Sequence, residues 1–178
     1  MKRIRNIIYI LGALMFLVSC IQKPSPLLEQ NIVDLKNKGI CERVINGNPY
    51  FWPLVNKDFN GVIFDIANVA LDNDKIVEGI KYKKSKSIRG FVSKSDVEKY
   101  QKDFNSLDRY FSTFFNEEGK YSQNSLNGAT NSLISWKKGN YKVSICISIP
   151  YEPNKFILLE LYISKSEFNE NRFFFHFL

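Results

Sequence analysis

Apolar positions recur along this chain in two rhythms, one of period two and one close to 3.6, and the two occupy different stretches. From 141 to 149 every second residue is apolar. Tyr141, Val143, Ile145, Ile147 and Ile149 share one side and Lys142, Ser144, Cys146 and Ser148 the other, which predicts a strand with one buried face. The stretches 131–138 and 155–164 read the same way, set off by Gly139-Asn140 and by the turn-rich run 150–154. Upstream, 75–82 alternates with Ile76, Ile80 and Tyr82 on one side. The run 61–71 fits either a helix face (Val62, Ile63, Ile66, Val69, Ala70) or a strand, and the Asp72-Asn73-Asp74 turn favours a β-hairpin over 62–83. Earlier still, Val44-Ile45, Asn46-Gly47 and Tyr50-Phe51-Trp52 form a hairpin signal, because Asn-Gly supplies the positive φ pair of a tight turn. Pro49 and Pro53 direct its second arm to a sheet edge.

The helical rhythm is strongest over 96–117. Val97, Tyr100, Phe104, Leu107, Phe111 and Phe114 follow at spacings of three and four. Ser95 with Glu98 reads as a capping box, and Gly119 marks the expected end. At about 1.5 Å per residue this is a rod of roughly 33 Å. A shorter helix fits within 27–38 on Leu27, Leu28, Ile32 and Leu35. The polar run 119–131 reads as a connection and 172–178 as a last strand. Together these elements predict an α+β fold: an antiparallel sheet of about five to seven strands packed against one long amphipathic helix.

The first twenty residues follow different rules. Lys2, Arg3 and Arg5 precede twelve mostly apolar residues, 7–18, and then Ser19-Cys20. That is the layout of a secretory signal peptide, too short to span a bilayer comfortably as a permanent helix. Leu17-Val18-Ser19-Cys20 resembles the lipobox of bacterial lipoproteins. The resemblance covers residues 1–20 only. It implies cleavage after Ser19, a diacylglyceryl group on Cys20 and palmitate-type acylation of the new N-terminus, and so a protein of the cell envelope. Ile21 rather than Asp after the cysteine leans, by the same resemblance, toward the outer membrane, facing the periplasm. The expected organisation is signal peptide 1–19, lipidated tether 20–28 and a single domain 29–178.

Removing 1–19 takes three of the 25 Lys and Arg, leaving 22 against 18 Asp and Glu, so the excess of +7 falls to +4. The basic character is then too mild to argue for nucleic acid. Of three cysteines, Cys41 and Cys146 remain once Cys20 is lipidated, in a compartment where disulfides persist. Either they bridge, closing a loop of about 105 residues, or each is buried alone.

Catalytic patterns are scarce. The one histidine, His176, stands third from the C-terminus, which disfavours Ser-His and Cys-His pairs, and its better reading is an edge or part-buried residue. No cysteine or histidine has a neighbour at metal-ligand spacing, and 72–74 lacks the glycine and terminal Glu of a calcium loop. No cofactor or metal is expected beyond the lipid.

Two features suit recognition instead. Lys81, Lys83, Lys84, Lys86, Arg89 and Lys94 form a cationic stretch without an acid, fit for an anionic surface or a solvated loop. Tyr50, Phe51 and Trp52 are consecutive, so on an extended chain at least one points outward. The expectation is a lipid-anchored, non-enzymatic protein that holds or neutralises a protein partner, in the format of inhibitor and immunity lipoproteins. An envelope assembly accessory is the alternative. An enzyme or small-ligand carrier using 119–131 is the least favoured.

Overall fold

A computed structural model describes residues 22–38 and 59–168, together with the backbone of two short strands at 43–45 and 48–51. Among these residues eight strands form one antiparallel sheet: β1 (Arg43–Ile45), β2 (Asn48–Phe51), β3 (Ile66–Leu71), β4 (Val77–Ser87), β5 (Lys120–Leu126), β6 (Ala129–Lys138), β7 (Tyr141–Pro150) and β8 (Phe156–Lys165). Their order across the sheet is β1-β2-β3-β4-β8-β7-β6-β5. Two meanders therefore meet where β4 pairs with β8, Gly79 against Ser164 through Ser87 against Phe156. The six longer strands, β3–β8, form the body of the sheet, and β1 and β2 extend one edge.

Between the meanders runs the long helix α2 (Lys94–Phe115), which packs on β6, β7 and β8; a single-turn helix, α1 (Ile32–Asn37), precedes the sheet. The expected α+β architecture, an antiparallel sheet with one face under one helix, is the fold observed. The hairpin reading of 62–83 also holds, with β3 and β4 as its arms.

The helix begins and ends two residues earlier than its expected span. Its cap is Ser93, not Ser95. The Ser93 hydroxyl accepts the Asp96 N–H and donates to the Asp96 carboxylate, so Asp96 takes the place expected of Glu98. At the other end Asn116, at φ 52°, turns the chain left-handed and its N–H caps the Ser112 and Thr113 carbonyls. Gly119 lies beyond the helix and serves another purpose. A Cβ there would stand 2.7 Å from two Trp136 ring atoms and closer still to Ile134 Cγ2. Only a bare backbone can pass so near that ring.

The buried helix stripe is Tyr100, Phe104, Leu107, Phe111 and Phe115. Phe115 takes the place expected of Phe114 because it stacks on Trp136 at 6.4 Å and 13°, leaving Phe114 edge-on at the rim. Beneath lie Val143, Ile145, Ile147, Leu159, Leu161 and Ile163, each no more than 1% exposed. Two sheet side chains also close the helix end: the Trp136 indole N–H donates to the Glu117 carbonyl, and the Lys138 amine to that of Phe115. A cation there suits the helix dipole.

Two expectations need correction. The tether is shorter than 20–28, because Ser25, Leu27 and Leu28 are buried and the Ser25 hydroxyl bonds that of Tyr82. Burial raises the Tyr82 hydroxyl to about 12, so it stays neutral there. The run 119–131 is no loop. It holds β5 and a two-residue turn at Asn127 (φ 55°) and Gly128 (φ 74°), and leads into β6.

Candidate interaction site

The cationic stretch does not form one patch. Residues 81–87 belong to β4, so their side chains alternate between the two faces of the sheet. Lys84 and Lys86 point to the helix side, where Lys84 meets Asp103 at 2.6 Å and Lys86 meets Asp96 at 2.7 Å. Lys86 (first) and the Ser93 hydroxyl hold the Asp96 carboxyl below its ordinary value. Lys81 faces the other way and is buried against Glu160 at 2.7 Å, with its amine 5.1 Å from the Tyr162 ring centre. Lys83 is half-buried on the same face, and Lys94 pairs loosely with Glu98 at 3.8 Å. Arg89 alone of the group lies in an exposed loop beyond the strand. These lysines were legible as charges, but their partners, on α2 and β8, are distant in sequence.

On the face away from the helix, Glu160 accepts from the Tyr162 hydroxyl at 2.7 Å while holding Lys81. Cys146 pairs in register with Glu160 and, with Leu133, Ser135, Lys142, Ser144 and Tyr162, lines a shallow hollow of about 300 Å³. Its orientation away from the helix is the expected one. Among the described residues its thiol has no disulfide partner, and burial (chiefly) and the nearby Glu160 charge push it up to about 11. A thiol shifted that way stays neutral near pH 7, so Cys146 makes a poor nucleophile. Cys20, Cys41, Trp52 and His176 lie outside the described residues; Tyr50 and Phe51 are placed only as backbone, where they pair with Asn68 and Ala67. Among the described residues no three His, Cys, Asp or Glu side chains come together as a metal site. The Asp72 carboxylate is spent within its turn, accepting the N–H groups of Asp74 and Ile76.

Sequence reasoning missed a different surface. Three connections meet at one end of the sheet: 88–93 after β4, the β5–β6 turn, and 151–155 between β7 and β8. Backbone bonds tie them together. The Gly90 carbonyl accepts the Asn154 N–H at 2.9 Å, and the Gly90 N–H donates to the Asn154 side chain at 2.9 Å. The Ile88 N–H donates to Lys155, and those of Tyr151 and Glu152 to Gly128. On this fixed frame stand Phe91, Leu126, Tyr151 and Phe156, exposed by 72%, 61%, 55% and 61%. Arg89 stands among them, and Lys155 and Glu152 pair at 3.6 Å. A signal existed in the sequence. Asn127-Gly128 is a hairpin turn, and Phe91 and Tyr151 sit in turn-rich runs where a core has no use for them.

The chain enters at the opposite end. Glu29 bonds Lys23 and Tyr141, and Gln30 bonds Val77, at the far termini of β7 and β4. The ten residues of β7 put roughly 30 Å between that end and the loop cluster.

No protein-family model, characterised protein or solved structure matches this chain.

Proposed function

We propose that this protein is lipid-anchored in the bacterial cell envelope through Cys20, more in keeping with the outer membrane than the inner, and that it holds a protein partner there. The observation that carries the reading is the exposed group Phe91, Leu126, Tyr151 and Phe156 on cross-bonded loops, remote from the entry of the chain. Large aromatic side chains held on a rigid frame bind with little ordering cost, and such residues dominate the energetics of protein interfaces. The short segment between Cys20 and Ser25 supports a domain seated close to the lipid surface, with this end clear of the attachment point. Among the described residues no helix is long and apolar enough to cross a membrane.

Recognition at this site rests on apolar contact and backbone shape and needs neither cofactor nor nucleophile. The neutralised lysines of β4 make a dispersed cationic surface the weaker candidate. A photo-crosslinking residue placed in living cells at 91, 151 or 156 is expected to give one discrete protein adduct. The same residue at 73, in the turn at the other end, is expected to give none. Position 52 belongs in the same series, because Tyr50, Phe51 and Trp52 remain a proposed contact. Adducts from 73 alone would displace the site to the anchored end. A resident assembly protein in the adduct would identify an accessory; a foreign or self-made toxin would identify an inhibitor.

A further inference from the structure

Among the described strands β5 forms one outer edge of the sheet, and all seven of its residues are exposed. It pairs with β6 in one unbroken register, from Lys120 against Ser135 to Leu126 against Ala129, with no bulge to twist it away. The two-residue turn makes Leu126–Ala129 a hydrogen-bonded pair. Alternation from there assigns the backbone groups of Ser122 and Asn124 to β6 and leaves those of Tyr121, Gln123 and Ser125 facing outward. Edges are ordinarily guarded by proline, bulges, brevity or a charge in mid-strand. Here the one charged residue, Lys120, stands at the first position.

We propose that β5 pairs antiparallel with β5 of a second copy of this chain, about a two-fold axis at Gln123, joining two sheets edge to edge. The strand is complementary to itself in that register. Tyr121 meets Ser125 of the other copy, Gln123 meets Gln123, and Ser125 meets Tyr121, so every outward backbone group finds a partner, six bonds in all. Shifting the register by two residues leaves an outward residue without one. The two Gln123 amides face each other on the same side and can exchange hydrogen bonds. Each Lys120 falls opposite Leu126 and about 20 Å from its counterpart, so no like charges meet.

The axis stands perpendicular to the sheet, which keeps both long helices on one side. Gln22 lies there too, beside Arg109, Tyr110, Thr113 and Phe114 of α2. Both chains therefore enter from the same side, as two anchors in a single membrane require. Two seven-residue strands bury well under the ~1,200 Å² of a stable complex. Confinement to one membrane, which this proposal takes from the lipid anchor, supplies the effective concentration.

The test uses the full chain in its own membranes, with a cysteine substituted at 121, 123 or 125, mild oxidation and a non-reducing gel, against the unsubstituted chain as background. Gln123→Cys is expected to yield a disulfide dimer, because the axis sets the two Cα atoms about 5.5 Å apart. Tyr121→Cys and Ser125→Cys, about 13 Å from their own counterparts, are expected to stay at background. Adding Ser125→Pro to Gln123→Cys should cut the dimer at least tenfold with melting unchanged, since that N–H is not used by β6. Equal yields at all three positions would mark chance collision and overturn the proposal. So would a cross-link from position 123 to another protein or within one chain, or a dimer indifferent to the proline. A Cys20→Ser variant that stays in the membrane fraction with the position-123 dimer retained would fault the anchoring reading and leave this pairing intact.

Discussion

Truncating Phe111 to alanine should cost this domain more than almost any other single change on the helix. Its ring is wholly buried and sits within 6.5 Å, centre to centre, of five others: Phe59, Tyr110, Phe114, Phe115 and Trp136. Removing it forfeits about 1.5–3 kcal/mol of transfer energy. The void lies between a helix and a sheet already pinned by the Trp136 and Lys138 bonds, so collapse is limited and the total should reach about 3–5 kcal/mol. In a domain of this size that is a drop of roughly 6–20 °C in Tm. Urea titration followed by tryptophan fluorescence suits the measurement, because Trp136 lies 5.9 Å from the lost ring. Phe115→Ala should fall in the same range, whereas Phe114→Ala, half-buried at the rim, should lose about 1–2 kcal/mol. Equal losses at 111, 114 and 115, or under 1 kcal/mol at 111, would show that the ring cluster does not hold helix and sheet together.

Gly119→Ala should destabilise by about 1–3 kcal/mol although it adds one methyl, since the ring it meets is buried and fixed; an unchanged denaturant midpoint would refute that close approach. Lys81→Met leaves the part-buried Glu160 carboxylate without its cation and should cost about 2–4 kcal/mol, with Glu160→Gln in the same chain recovering most of it; a double variant as weak as the single one would count against the pair. The depressed Asp96 carboxyl implies helix-start stability that is complete above its unfolded value near 3.8 and is lost as pH falls through the lower folded value. Circular dichroism between pH 5 and 2 should show that loss, and Lys86→Ala should move it to higher pH.

Periodicity carried most of the fold because each element obeys one dominant rule. Strands β6, β7 and β8 keep strict alternation, and the helix keeps its stripe through Phe111. The failures lie where tertiary contact decides. Nothing local separates Phe114 from Phe115; the Trp136 ring, on a strand beyond the helix, selects between them. Ser93 and Ser95 are equivalent as caps on paper, and the ion pair of Asp96 with Lys86 favours the first. Strand β5 hid because both its faces are wet, so the sequence KYSQNSL carries no alternation to read. The proposed recognition surface was least visible of all. Lysines that read as one patch are divided between the faces of a sheet and neutralised by α2 and β8. Phe91, Leu126, Tyr151 and Phe156 stand in or beside connections up to 65 residues apart, and strand pairing together with the bonds between those connections brings them to one end of the sheet.

That loop end is the proposed place where a partner is held. Once the partner is identified by cross-linking, the decisive measurement is its dissociation constant for a Phe91→Ala/Tyr151→Ala variant at two salt concentrations, beside a Lys83→Ala/Lys84→Ala/Lys86→Ala variant. Loss of two exposed aromatic anchors should weaken binding by at least about 2 kcal/mol, some thirtyfold, with the salt dependence unchanged. The lysine variant, corrected for any loss of folding, should bind nearly as well as the wild type. The reverse result, aromatic truncation without effect and a steep loss on removing the lysines, would contradict the account.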